Sequence, residues 1–172
     1  MQSNSHRKPH RLNSFIRRET KDMNALYIDS NIYLNLFFRE VNPKTGLELW
    51  RGSKAVFDHI LDKDVDAYSS LTALMEIIHA FRLKGVEPAS VIEDCMGLGV
   101  HIIPPDSWVM IRAMQYQIEN KLDPYDAVAL SVAVECKCNY LITRDKALIE
   151  RISDIIPAAE PELILEKEFF KP

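Results

Sequence analysis

A three-layer α/β/α fold around a central parallel sheet is predicted by three features of the sequence. Short continuous apolar runs bounded by turn residues read as strands buried on both faces. Segments with apolar residues at helical spacing lie between them, and such alternation implies parallel strands with helices on both sides. One helix, over Ala127 to Val134, is apolar nearly all round and is therefore expected deep inside. The 172 residues suit one ordinary domain. No repeat or boundary interrupts residues 23–172, which are predicted to form a single domain.

The elements follow in order. Ala25-Leu26-Tyr27-Ile28 is the first strand and ends in Asp29. A brief helix over Asn31 to Phe38 leads into a loop with Asn42, Pro43 and Gly46. Ser53 is the expected N-cap of a helix through Val56, Phe57, Ile60 and Leu61. Val65 to Ser69 is the second strand. From Ser70 a helix runs to Leu83, with Leu71, Leu74, Met75, Ile78 and Phe81 expected on its buried stripe and Gly85 just past its end. Pro88 opens a further helix, closed by Gly97 and Gly99. Val100 to Ile103 is the third strand, stopped by Pro104-Pro105, and Asp106 caps a helix to about Asn120. Pro124 starts the apolar helix, Tyr140 to Thr143 is the fourth strand, and a short helix begins at Lys146.

Composition removes several classes. With 47% hydrophobic and 27% charged residues the chain is not disordered throughout. Five Gly and nine Pro exclude collagen-like and low-complexity sequences. The apolar runs are far shorter than the roughly 18–20 residues of a membrane span, and no signal-peptide core lies near the start. Three cysteines, Cys95, Cys136 and Cys138, fit a reducing cytoplasm rather than a disulfide scaffold.

The net charge of −4 is unevenly placed. Residues 1–22 carry six basic and two acidic groups, a net of +4, so the other 150 residues carry −8. An acidic body does not draw in a polyanion through its overall field. The leader is predicted to be disordered; its alternative reading is a basic arm that touches phosphate.

Functional groups of open α/β sheets collect at the carboxyl ends of strands. Asp29 ends the first strand, Asp145 follows the fourth, Glu76 lies two turns into the helix after the second, and Asp126 opens the buried helix. Four carboxylates from distant positions can thus converge above one sheet edge. Each also has a local explanation. Asp29, Asp123 and Asp145 suit N-caps, and Asp126 suits the first helical turn. Glu76 shares a mid-helix face with Thr72 and His79, and an enclosed charge there needs a partner. Clustered carboxylates raise one another's pKa unless a cation holds them ionised, and oxygen ligands suit Mg²⁺ or Mn²⁺. Such ions promote phosphodiester hydrolysis.

The segments Tyr27-Ile28-Asp29-Ser30-Asn31, Ser70-Leu71-Thr72 with Glu76, Tyr125-Asp126-Ala127-Val128-Ala129-Leu130 and Leu141-Ile142-Thr143-Arg144-Asp145 occur in an order and spacing that resembles the PIN-domain family. Within it, the sequence is similar to the VapC-like toxin ribonucleases over about residues 24–160. The resemblance implies a parallel-sheet nuclease, Mg²⁺- or Mn²⁺-dependent cleavage of single-stranded RNA, a homodimer, and an antitoxin partner of a type II toxin–antitoxin pair. By motif position it implies Asp29, Glu76, Asp126 and Asp145 as the catalytic acids. Asp29, Asp126 and Asp145 would be metal ligands, with Asn31, Thr143 and Asp123 supporting them. Arg82, Lys84, Arg144 and Lys146 are candidate RNA contacts. The alternatives are a catalytically silent RNA-binding or scaffold protein of the same fold, or an RNA-processing or decay nuclease without an antitoxin.

Overall fold

The computed structural model describes residues 25–63 and 65–165. The predicted leader over residues 1–22 lies outside the described residues. Five strands, β1 (Ala25–Ile28), β2 (Asp66–Ser70), β3 (Val100–Ile103), β4 (Tyr140–Ile142) and β5 (Ala158–Ala159), form a sheet in the order β3-β2-β1-β4-β5. Every pairing is parallel. The helices are α1 (Ser30–Phe37), α2 (Leu49–Lys63), α3 (Leu71–Leu83), α4 (Val91–Gly97), α5 (Ser107–Glu119), α6 (Pro124–Glu135), α7 (Lys146–Ile152) and α8 (Pro161–Leu165). The three-layer prediction holds.

The two-residue period of β1 divides the core. Leu26 and Ile28 face one layer, packing with Ile32 and Tyr33 of α1, Val56 and Phe57 of α2, and Leu74 and Ile77 of α3. Tyr27 faces the other layer, with Val109 of α5, Leu130 and Val132 of α6, and Leu148 and Ile152 of α7. Residues Ala127 to Ala133 of α6 are buried, as their all-round apolar pattern requires.

Strand order runs outward from β1 in both directions, toward β2 and β3 on one side and β4 and β5 on the other. The chain segments leaving β1 and β4 therefore diverge at a topological switch point, where open α/β sheets form a crevice. Asp29 leaves β1 there, still tied to the sheet because its backbone N–H donates to Ile142 O at 3.0 Å.

Four expectations need correction. Ser53 does not cap α2, which already begins at Leu49. Asn42 N–H donates to Leu47 O at 2.8 Å and Trp50 N–H to Glu40 O at 3.3 Å, so the preceding loop folds back and feeds the chain directly into the helix. Ser53 is instead buried in the second turn, its hydroxyl without a hydrogen-bond partner among the described residues. On α3, Ala73, Leu74 and Ile77 are buried, while Leu71 and Met75, expected in the core, are 45% and 57% exposed. Leu74 is buried and Ile78 and Phe81 pack against the core as expected, so the inward face is turned by about one residue from the predicted stripe. Pro88 lies three residues before α4, with its carbonyl accepting from Val91 N–H. Finally, β5 and α8 were absent from the sequence reading: β5 is two residues long and α8 five, too short for a periodic signal.

Candidate active site

The predicted acids meet the sheet edge through helix caps. Asp29 is the N-cap of α1, its Oδ1 accepting from Ser30 N–H at 2.7 Å. Asp123 caps α6, its Oδ1 accepting from Tyr125 and Asp126 N–H at 2.8 and 3.0 Å. Asp145 caps α7 in the same way, accepting from Ala147 and Leu148 N–H at 2.8 and 3.0 Å. In each case Oδ1 serves the cap. Capping fixes the carboxylate near the helix axis end, where the partial positive charge of the first turn favours it.

The second oxygen of Asp29 is held from α1 and from the residue after β4. Asn31 Nδ2 and Thr143 Oγ1 donate to Oδ2 at 2.5 and 2.6 Å, and Asn31 Nδ2 also reaches Thr143 Oγ1 at 2.8 Å. Asp145 N–H donates to Thr143 Oγ1 at 3.1 Å, and Arg144 N–H to Asn31 Oδ1 at 3.2 Å. A single buried threonine thus connects Asp29 with the Asp145 cap. Beneath it, the buried Tyr27 hydroxyl donates to Ser70 Oγ at 3.0 Å, and Ser70 Oγ lies 2.7 Å from Thr72 Oγ1. Ser70 also caps α3, accepting from Ala73 N–H at 3.0 Å, and so sets the start of the helix that carries Glu76.

The carboxylates are close enough to act on one another. Burial, then repulsion from Asp29, raises Glu76 to about 7, with Asp123 adding to the rise and the Ser30 hydroxyl opposing it. Burial raises Asp126 to about 8, helped by Asp123, Asp29 and Asp145. Burial raises Asp29 too; its hydrogen bonds from Thr143 and Ser30 pull against that, and Asp145 adds to it. The charged neighbours acting on Glu76 and Asp126 are all carboxylates. Asp29, Glu76, Asp123, Asp126 and Asp145 therefore share one electrostatic neighbourhood. Among the described residues, no three His, Cys, Asp or Glu side chains close into a ligand cage as they stand. The donor set nonetheless fits a hard divalent cation in its chemistry: oxygen ligands only, with Asp29, Glu76 and Asp126 raised by burial and by acidic neighbours that a cation would neutralise.

The four basic candidates lie differently from one another. Arg144 is not poised for phosphate. Its Nε donates to Asn35 Oδ1 at 2.5 Å, Nη2 to Leu49 O at 2.8 Å, and Nη1 and Nη2 grip Glu162 at 2.8 and 2.9 Å. That side chain is only 9% exposed and ties α1, α2 and α8 to the loop after β4. Lys84 pairs with Glu40 at 3.4 Å and lies over the Phe38 ring, and Lys146 is exposed, 3.7 Å from Glu160. Arg82 is exposed on the last turn of α3.

Two features of the site escaped sequence reasoning. The clamp of Arg144 joins residues separated by up to 109 positions, and only the bidentate match of an arginine to a nearby carboxylate could have hinted at it. Tyr125, between Asp123 and Asp126, is 47% exposed beside an open groove of about 280 Å³ lined by Ser30, Leu34, Met75, Glu76, His79, Ala80 and Leu83. An aromatic residue flanked by acids was its one visible signal.

Several solved structures share this architecture. A toxin–antitoxin complex from Klebsiella pneumoniae aligns at 23% identity and a TM-score of 0.56, covering 80% of this chain and 97% of that one. FitAcB from Neisseria gonorrhoeae aligns at 18% identity and a TM-score of 0.58, over 80% of this chain and 98% of that one. VapC20 of Mycobacterium tuberculosis, a Sarcin–Ricin loop cleaving toxin, aligns at 13% identity and a TM-score of 0.56, over 72% and 92%. At these identities the likeness is one of fold. Comparison with curated proteins by sequence gives no match. The family assignment comes from the sequence itself, since the PIN domain pattern matches residues 25–147, from the first residue of β1 past the Asp145 cap. With most of its length inside that match, the chain belongs to the PIN domain family.

Proposed function

We propose that this protein is a metal-dependent endoribonuclease that cuts single-stranded RNA, acting in the cytoplasm as the toxin of a type II toxin–antitoxin pair. The mutual repulsion of its carboxylates carries this reading. Glu76 and Asp126 are raised to about 7 and 8 by burial and by other acids, an arrangement that destabilises the fold unless a cation belongs there. Family membership supports the nuclease class, and the toxin–antitoxin complex and RNA-cleaving toxin among its structural relatives support the RNA substrate and protein partner.

Asp29, Asp126 and Asp145 would hold Mg²⁺ or Mn²⁺. When bound, the ion neutralises these acids and polarises the phosphodiester under attack. Asn31 and Thr143 fix Asp29 Oδ2 by their hydrogen bonds, the orienting role that partners of a ligand usually play. Asp123 holds the start of α6 and so places Asp126. Glu76, with its raised proton affinity, orients the attacking water and accepts its proton at the carboxylate.

A second copy of the chain fits the outer face of α5, where Trp108, Ile111, Met114 and Ile118 are 76%, 47%, 56% and 79% exposed along one side. No described helix is long and apolar enough to cross a membrane. The test is cleavage of a fluorescent single-stranded RNA over a Mg²⁺ and Mn²⁺ titration. Cleavage that is lost with chelator and lost in Asp29→Asn is expected. RNA binding with no cleavage at any metal concentration would move the protein to the silent class.

A further inference from the structure

The groove beside the acids has an occupant that its chemistry selects. Met75, His79 and Leu83 recur at four-residue intervals on α3 and are all exposed, Met75 by 57% and Leu83 by 74%. Together with Leu34 of α1 they make a mostly apolar wall, and Tyr125 also lines the groove. Glu76 belongs to both the groove and the acid neighbourhood, so the two are continuous. An exposed apolar strip of this kind on a soluble domain marks a contact surface. We infer that the groove receives one unpaired base of the RNA substrate, with Tyr125 as the stacking face.

Three observations favour a base over other occupants. At about 280 Å³ the groove is smaller than the usual range for drug-sized ligands, and fits a single flat ring system. None of the described residues that line it is an arginine or lysine that could hold a phosphate, whereas the uncharged π-face of a base needs none. Residues 23–172 carry a net −8, so their overall field cannot hold RNA. Stacking can, and it acts only on bases that are unpaired. The exposed His79 imidazole, which lines the groove, offers a hydrogen bond to a base edge. Cleavage of single strands rather than duplexes then follows from the groove. The inference takes its choice of RNA from the nuclease reading, but base binding and cleavage are separately measurable.

The test is binding of single-stranded RNA oligonucleotides carrying 2-aminopurine to the full-length chain in the Asp29→Asn background, with Mn²⁺ present. Stacking quenches the fluorophore. Tyr125→Ala should weaken binding roughly tenfold and abolish the quench, and Tyr125→Phe should restore both. Leu83→Ser, at a position too exposed to affect folding, should weaken binding in the same direction. An oligonucleotide with an abasic site at the quenched position should bind the parent as weakly as the intact RNA binds Tyr125→Ala. Unchanged affinity and quench in Tyr125→Ala would overturn the inference. So would intact RNA binding with a smaller sedimentation coefficient in Tyr125→Ala and Leu83→Ser, which would make the groove a protein interface. A Tyr125-dependent quench in a wild-type chain that never cleaves would uphold the base pocket while ending the nuclease reading.

Discussion

Asp29 serves two purposes with one carboxylate, because Oδ1 caps α1 and Oδ2 is gripped by Asn31 and Thr143. Removing the Thr143 hydroxyl isolates its effect. Thr143→Val keeps the shape but leaves Asp29 Oδ2 to Asn31 alone and strands the Asp145 N–H, and should cost about 1–3 kcal/mol in urea denaturation. Asp126 gives the sharper contrast. It is raised to about 8 by burial and other acids, so Asp126→Asn removes a repulsion. In chelator at pH 8 this variant should melt higher than the parent. Its RNA cleavage should fall by more than the roughly 10–100-fold expected of an outer partner. An acid kept only for structure would show neither effect. At this scale the sequence was informative because caps are local: Asp-x-x spacing before helical runs marked Asp123 and Asp145, and both cap as read. The hold of Thr143 on Asp29 spans 114 residues and follows only from β1 pairing with β4.

The elements are joined near the site by Arg144, whose guanidinium binds Asn35 of α1, Leu49 O at the start of α2, and Glu162 of α8. Lysine cannot reproduce that planar fork. Arg144→Lys should lose about 1.5–3 kcal/mol of stability by urea denaturation, the usual worth of hydrogen bonds to charged groups. Gly52 makes room for the clamp. A Cβ there would lie 2.2 Å from Glu162 Oε1 and 3.0 Å from Arg144 Nη2, so Gly52→Ala gains helix propensity only by displacing the pair. Strands β1 to β4 were readable as apolar runs between turns, whereas β5 needs the Pro157 and Ala159 carbonyls to receive the N–H groups of Leu141 and Thr143 to exist at all. Periodicity also misjudged α3. It tells which residues share a face, but not that one apolar face meets a groove rather than the core, and Met75 fell on the open side.

At the scale of the molecule, charge and stability are linked. A carboxyl raised in the folded state keeps a proton that the unfolded chain releases at its ordinary pKa near 4. The metal-free protein should therefore lose stability as pH climbs from that range through about 7 and 8, the values for Glu76 and Asp126. Mg²⁺ should flatten the decline, since an ion bound only by the folded state stabilises it. Thermal melts from pH 5 to 9, with chelator and with Mg²⁺, check both parts. Oligomeric state is separable: Trp108→Glu with Ile118→Glu on α5 should shift the sedimenting species from dimer to monomer and leave the melt of the folded unit near its parent value. Fold class and the approximate place of the acids were legible from alternation and strand ends, while their electrostatic union needed the sheet order that sets β1 between β2 and β4. The most direct measurement is anomalous diffraction at the manganese edge from crystals grown with Mn²⁺. A peak beside Asp29 and Asp126 that disappears in Asp29→Asn is predicted, and a fully occupied lattice of well-ordered chains with no peak at those carboxylates would contradict it.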